Sequence, residues 1–128
     1  MIPAETILIV DRHGDVFKIL EEQLAATNYA LLHARNEEDA IALLERLKSK
    51  VELAIVDVEF PDLGGWDLIG RLAHHDQRPA KIIATMSSSY ANKVLEDQMR
   101  GLGVDMVVLK PIPHEEWRTT LAAVITGL

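Results

Sequence analysis

The chain has 128 residues, 48% of them hydrophobic and 26% charged, with no cysteine and a formal net charge of −7 at pH 7. That length suits one domain with an ordinary buried core, and the missing cysteines exclude disulfides and thiolate chemistry. The acidic balance, with no clustered Lys and Arg, argues against direct nucleic-acid binding, and no run approaches the roughly 18 apolar residues of a membrane span.

In chain order, "TILIVD" (6–11) is a short continuous apolar run, the pattern of a strand buried on both faces. "DVFKILEEQLAAT" (15–27) sets Val16, Ile19, Leu20 and Leu24 on one helical face. "YALLHA" (29–34) is a weaker strand. "NEEDAIALLERLKS" (36–49) opens on Asn36 as N-cap, carries acids in its first turn, and stripes Ala40, Ile41, Leu44 and Leu47. "LAIVD" (53–57) is the third strand and "GWDLIGRLAHH" (65–75) the third helix. "KIIATM" (81–86), "YANKVLEDQMRGLG" (90–103), "DMVVL" (105–109) and "HEEWRTTLAAVI" (114–125) continue as strand, helix, strand and helix.

Five strand-helix repeats with right-handed crossovers predict an α/β fold, a doubly wound parallel sheet with helices on both faces. No repeat, low-complexity stretch or linker divides the chain, so residues 1–128 are expected to form one domain, with an ordered core over about 5–126. The N-terminus lacks a signal-peptide pattern, which fits a cytoplasmic protein.

Ligands of such sheets sit outside the carboxyl ends of the strands. The residues emerging there are Asp11 and Arg12, Asp57 and then Glu59, Ser87-Ser88-Ser89, and Lys110-Pro111. Each has a plain alternative. Asp11 and Asp57 suit turn formation or helix capping, the serines suit a loop, and Lys-Pro suits a solvated turn. Together, two acids, a hydroxyl and an ammonium at one edge are complementary. A carboxylate nucleophile needs a cation to neutralise an incoming phosphoryl group and donors for its oxygens.

"ILIVD" ending at Asp11, "DVEFPDLGG" from Asp57, "IIATMSS", and "LKP" at 109–111 give the chain a resemblance to the response-regulator receiver domains of two-component systems, over nearly its whole length. The resemblance implies the flavodoxin-like five-stranded fold of order 2-1-3-4-5. It also implies phosphoryl transfer from a histidine kinase to Asp57, assisted by Mg²⁺, Ser87 and Lys110. Asp11, Asp57 and the backbone carbonyl of Glu59 would hold the metal. The partners implied are a sensor kinase or phosphotransfer protein and a downstream effector protein, with a homodimer as a further option. The domain itself is not expected to be an enzyme. The loop through Pro61 and Gly64-Gly65 would supply the tight turn beside the acceptor, with Phe60 and Gly64 as mild departures from the family.

Two departures matter more. Arg12 stands where the family has a second acid, and a guanidinium is no metal ligand. It either points to solvent or pairs with Asp57 or Glu59. Counting Asp11, Asp57 and Glu59 against Arg12 and Lys110 gives about −1, where three acids and one lysine give about −2, so Mg²⁺ binding should be weak or absent and phosphorylation slow or absent, both improved by Arg12→Asp. Val107 stands where the family carries a switching aromatic. The face of the fourth helix, fifth strand and fifth helix should therefore stay nearly constant. Tyr90, Val94 and Trp117 are its candidate anchors, with core packing favoured for Val94 and Trp117.

His74-His75 should lie at the surface, since adjacent helical residues share no face. A phosphorylation-independent pseudo-receiver used for protein binding is the competing function. A flavodoxin-like enzyme or nucleotide binder is a third, opposed by the single glycine of "DRHGD". Because the receiver pattern fills residues 5–126, output is expected through a partner, unless the chain is part of a longer regulator.

Overall fold

The computed structural model describes residues 5–47, 50–58, 64–89 and 93–125. Its elements run β1 Glu5–Val10, α1 Asp15–Gln23, β2 Tyr29–Ala34, α2 Glu37–Arg46, β3 Val51–Asp57, α3 Gly64–Ala73, β4 Lys81–Ser87, α4 Lys93–Leu102, β5 Met106–Lys110 and α5 Glu116–Ala122. All strand pairs are parallel and the sheet order is β2-β1-β3-β4-β5, as the resemblance implied.

The continuous apolar strands bury both faces, and their two-residue period splits the core in two. Leu8, Val10, Ala54, Val56, Ile82 and Ala84 pack with Ala40, Ile41 and Leu44 of α2, Leu68 and Leu72 of α3 and Met99 of α4. Ile7, Ile9, Leu53, Ile55, Ile83 and Val108 pack with Val16, Leu20 and Leu24 from the α1 segment and with Trp117 and Leu121 of α5. Asn36 caps α2 as expected, its side chain accepting from the Asp39 N–H at 2.8 Å.

Helix ends differ from the sequence pattern for local reasons. The pattern for the first helix reached Thr27, but α1 ends at Gln23. Thr27 there folds back, its hydroxyl and N–H both donating to the Leu24 carbonyl, at 2.7 and 3.0 Å. The last helix was expected from His114 and begins at Glu116, after a turn closed by the Glu116 N–H on the Pro113 carbonyl. Gly103 follows α4 with φ 118, and a Cβ there would meet the Ala73 Cβ at 2.8 Å.

One packing assignment is corrected. Val94 is 66% exposed and not in the core, whereas Trp117 is 1% exposed and packs as expected. Helical phase explains Val94. At about 100° per residue it lies about 140° around α4 from buried Met99, while half-buried Leu95 lies about 40° away. Tyr90 lies outside the described residues.

Thr85 is the odd member of the α1/α5 face. It is fully buried beside Asp57 in register, and its hydroxyl finds no hydrogen-bond partner among the described residues. A buried unpaired hydroxyl costs about 1–3 kcal/mol. Thr85→Val, which keeps the shape, should raise stability in urea unfolding by about 1 kcal/mol.

Candidate functional site

The strand period that divides the core also builds the site. Ile7 and Ile9 lead to Asp11, Leu53 and Ile55 to Asp57, Ile83 and Thr85 to Ser87, and Met106 and Val108 to Lys110, always at steps of two. Four polar groups therefore close four rows, apolar but for Thr85, on the α1/α5 side of the sheet, at its carboxyl edge. All four line one cavity of about 640 Å³, together with Arg12, His13 and His114.

Asp57 ends β3 half-buried, and the Lys110 ammonium donates to its Oδ2 at 3.0 Å. Lys110 ends β5, and its bond to Pro111 is cis. Ser87 ends β4, where its Oγ lies 2.7 Å from the Ser89 Oγ and accepts the Ser89 N–H at 3.2 Å. The Ser88 N–H donates to the Lys110 carbonyl at 3.0 Å, which ties this loop to the end of β5. The serines thus form a loop turn and also border the cavity.

Asp11 is 3% exposed, and its carboxylate faces the start of α1. Oδ2 accepts the Val16 N–H at 2.7 Å and the Phe17 N–H at 3.4 Å, and Oδ1 accepts the His13 N–H at 3.3 Å. The N-cap residue, Gly14, has φ 80 and no side chain to offer, so Asp11 supplies the acceptor from three residues upstream. The capping alternative for Asp11 is therefore realised in the fold.

A second clamp on this turn was not evident in the sequence. The carbonyl of Asp11 can only accept, so His33, whose Nε2 lies 2.7 Å away, must carry its proton there. The His33 ring stacks on Phe17 with centroids 4.8 Å apart and planes 15° from parallel. Its Cε1 also lies 3.4 Å from where a Cβ on Gly14 would sit. The only sequence signal was a histidine on the α1-facing row of β2, in register with Ile9.

Arg12 is exposed, borders the cavity, and pairs with no carboxylate among the described residues. Glu59, its other candidate partner and the expected carbonyl ligand, lies outside those residues, as do Phe60 and Pro61. Among the described residues no group of three His, Cys, Asp or Glu is placed to hold a metal. His74 is exposed and His75 sits near Glu45 at 3.6 Å, away from this edge. No described helix is long and apolar enough to cross a membrane.

The family profile described as "Response regulator receiver domain" matches residues 7–122. The chain belongs to that family. It is 32% identical to the response regulator GtcR of Aneurinibacillus migulanus over 108 residues, which cover 84% of this chain and 42% of that protein. The chain spans about half the length of the first curated relatives it matches. Among solved structures, the chemotaxis protein CheY4 of Vibrio cholerae superposes with a TM-score of 0.82 at 18% identity, over 95% of this chain and 99% of that one. A Burkholderia pseudomallei response regulator, solved with a phosphorylated aspartic acid, a calcium ion and citrate, gives a TM-score of 0.75 at 27% identity, over 95% and 67% of the two chains. Receiver domains are signalling modules of two-component systems. As a family they carry a phosphoryl group on an aspartate and bind Mg²⁺ at an acidic pocket.

Because Asp11 satisfies three N–H groups at a buried helix start, Asp11→Ala should lower stability in urea unfolding by about 1–2 kcal/mol. Asp11→Asn, which keeps one acceptor oxygen, should lose less.

Proposed function

We propose that this receiver accepts a phosphoryl group on Asp57 from the phosphohistidine of a sensor kinase or phosphotransfer protein, in the cytoplasm, and signals through contacts with an effector protein. The observation that carries this is the 3.0 Å contact between Asp57 and Lys110 in a cavity that Asp11 and Ser87 also border. An oxygen of Asp57 forms the new bond to phosphorus as the bond from phosphorus to the histidine nitrogen breaks. Lys110 neutralises the added charge, and a Ser87 hydroxyl turned from Ser89 donates to a phosphoryl oxygen. The phosphorylated aspartate of the Burkholderia protein supports the same chemistry here.

The donor set fits Mg²⁺ poorly. That ion wants several hard oxygen ligands in near-octahedral array. Here both Asp11 oxygens already accept backbone N–H groups, Asp57 faces an ammonium, and Arg12 holds the place of an acid. Arg12 also favours a second reading, a pseudo-receiver that binds its partner without being phosphorylated.

Mass spectrometry after treatment with acetyl phosphate separates the two. A single added phosphoryl group on the wild type and none on Asp57→Asn supports acceptance at Asp57. No addition to either leaves the binding module. Mg²⁺ titration followed by tryptophan fluorescence, with Trp117 at the cavity wall, should show weak binding in wild type and at least tenfold tighter binding in Arg12→Asp. Equal and tight binding in both would show that Arg12 leaves the metal site untouched.

A further inference from the structure

The mismatch between this donor set and a divalent ion leaves a phosphoryl group on Asp57 short of positive charge. Three equatorial oxygens gather charge during transfer, and the Lys110 ammonium supplies a single positive charge. Arg12 can supply the missing cation. Arg12 borders the same cavity as Asp57, Ser87 and Lys110, and among the described residues no carboxylate engages its guanidinium. Its planar fork can grip two phosphoryl oxygens at once.

The turn that carries Arg12 is also held firmly for an exposed segment. The Asp11 carboxylate ties it to the Val16 and Phe17 N–H groups, and the His33 ring holds the Asp11 carbonyl while stacking on Phe17. Gly14 closes the turn at φ 80 against that ring. A backbone set in advance beside the cavity limits the reorganisation needed to bring the Arg12 guanidinium to developing charge.

We infer that Arg12 is a catalytic residue that replaces the divalent cation, so that Asp57 takes a phosphoryl group without metal. This rests on Asp57 being the phosphoacceptor. With acetyl phosphate as donor, an Asp57 carboxylate oxygen bonds to phosphorus, the bond from phosphorus to the acetyl oxygen breaks, and acetate leaves with the electron pair. No proton moves and nothing is oxidised. Arg12 and Lys110 share the equatorial oxygens throughout. His33 is a positioning residue that acts through the Asp11–Phe17 turn.

The experiment follows phosphoryl mass on the full chain with acetyl phosphate, in EDTA and in Mg²⁺. Wild type should be labelled in EDTA at a rate within about threefold of that in Mg²⁺. Arg12→Ala should fall at least tenfold in EDTA while keeping its thermal midpoint, as suits an exposed side chain. Arg12→Asp should lose the EDTA-resistant rate and gain one that depends on Mg²⁺. His33→Phe should slow labelling in EDTA, and His33→Gln, which keeps an N–H donor, should restore much of it.

Labelling of wild type only in Mg²⁺, or equal rates for wild type and Arg12→Ala in EDTA, would overturn the role of Arg12 and leave Asp57 as acceptor. No labelling of wild type in either condition, or equal labelling of Asp57→Asn, would overturn both.

Discussion

A parallel sheet imposes one constraint from which the site follows. All its strands end on the same edge, and side chains alternate strictly between its faces. A polar residue placed two steps beyond a buried isoleucine or valine therefore emerges on a known side, one layer above the core. Three strands here do this at once and β4 does it beyond buried Thr85, and their apolar residues stack against α1 and α5. The 3.0 Å approach of Lys110 to Asp57 is a product of that parity together with the order of the strands. A shift of one residue in β3 or β5 would send one partner to the opposite face and destroy the pair.

The turn after β1 adds a second layer of organisation. A buried carboxylate is costly unless its oxygens are satisfied, and the start of α1 provides the donors. Asp11 thereby becomes part of the frame. Its neighbour Arg12 comes to line the cavity. One residue serves the fold, and the next stands exposed beside the cavity.

Much of this was legible in the residues. Apolar runs separated by helical stripes led to the parallel sheet, and the positions of Asp11, Asp57, Ser87 and Lys110 past their strands led to a shared edge. What escaped has physical causes. The capping of α1 by Asp11 stood in the residues only as an alternative, because the left-handed backbone at Gly14 that goes with it leaves no mark on the spacing of acids. His33 acts across β1 and β2, a contact that no local pattern encodes. For Val94 core packing is the favoured expectation over an exposed anchor, but the phase of α4 set by Met99 turns it outward. The end of α1 was decided by a single threonine folding back on Leu24.

The ion pair at the centre of the site joins β3 to β5 and so passes over β4, a reach of two inter-strand spacings, about 10 Å between backbones. It works as a strap across the sheet. β5 is an edge strand with β4 as its one partner in the sheet, and the Ser88 N–H buttresses its last residue from the neighbouring loop. The tension in that strap depends on the charge carried by Asp57. Any chemistry that changes this charge is therefore felt as a change in how firmly the open margin of the sheet is fastened, some distance from the carboxylate and on the side where exposed Val94 and Leu109 lie.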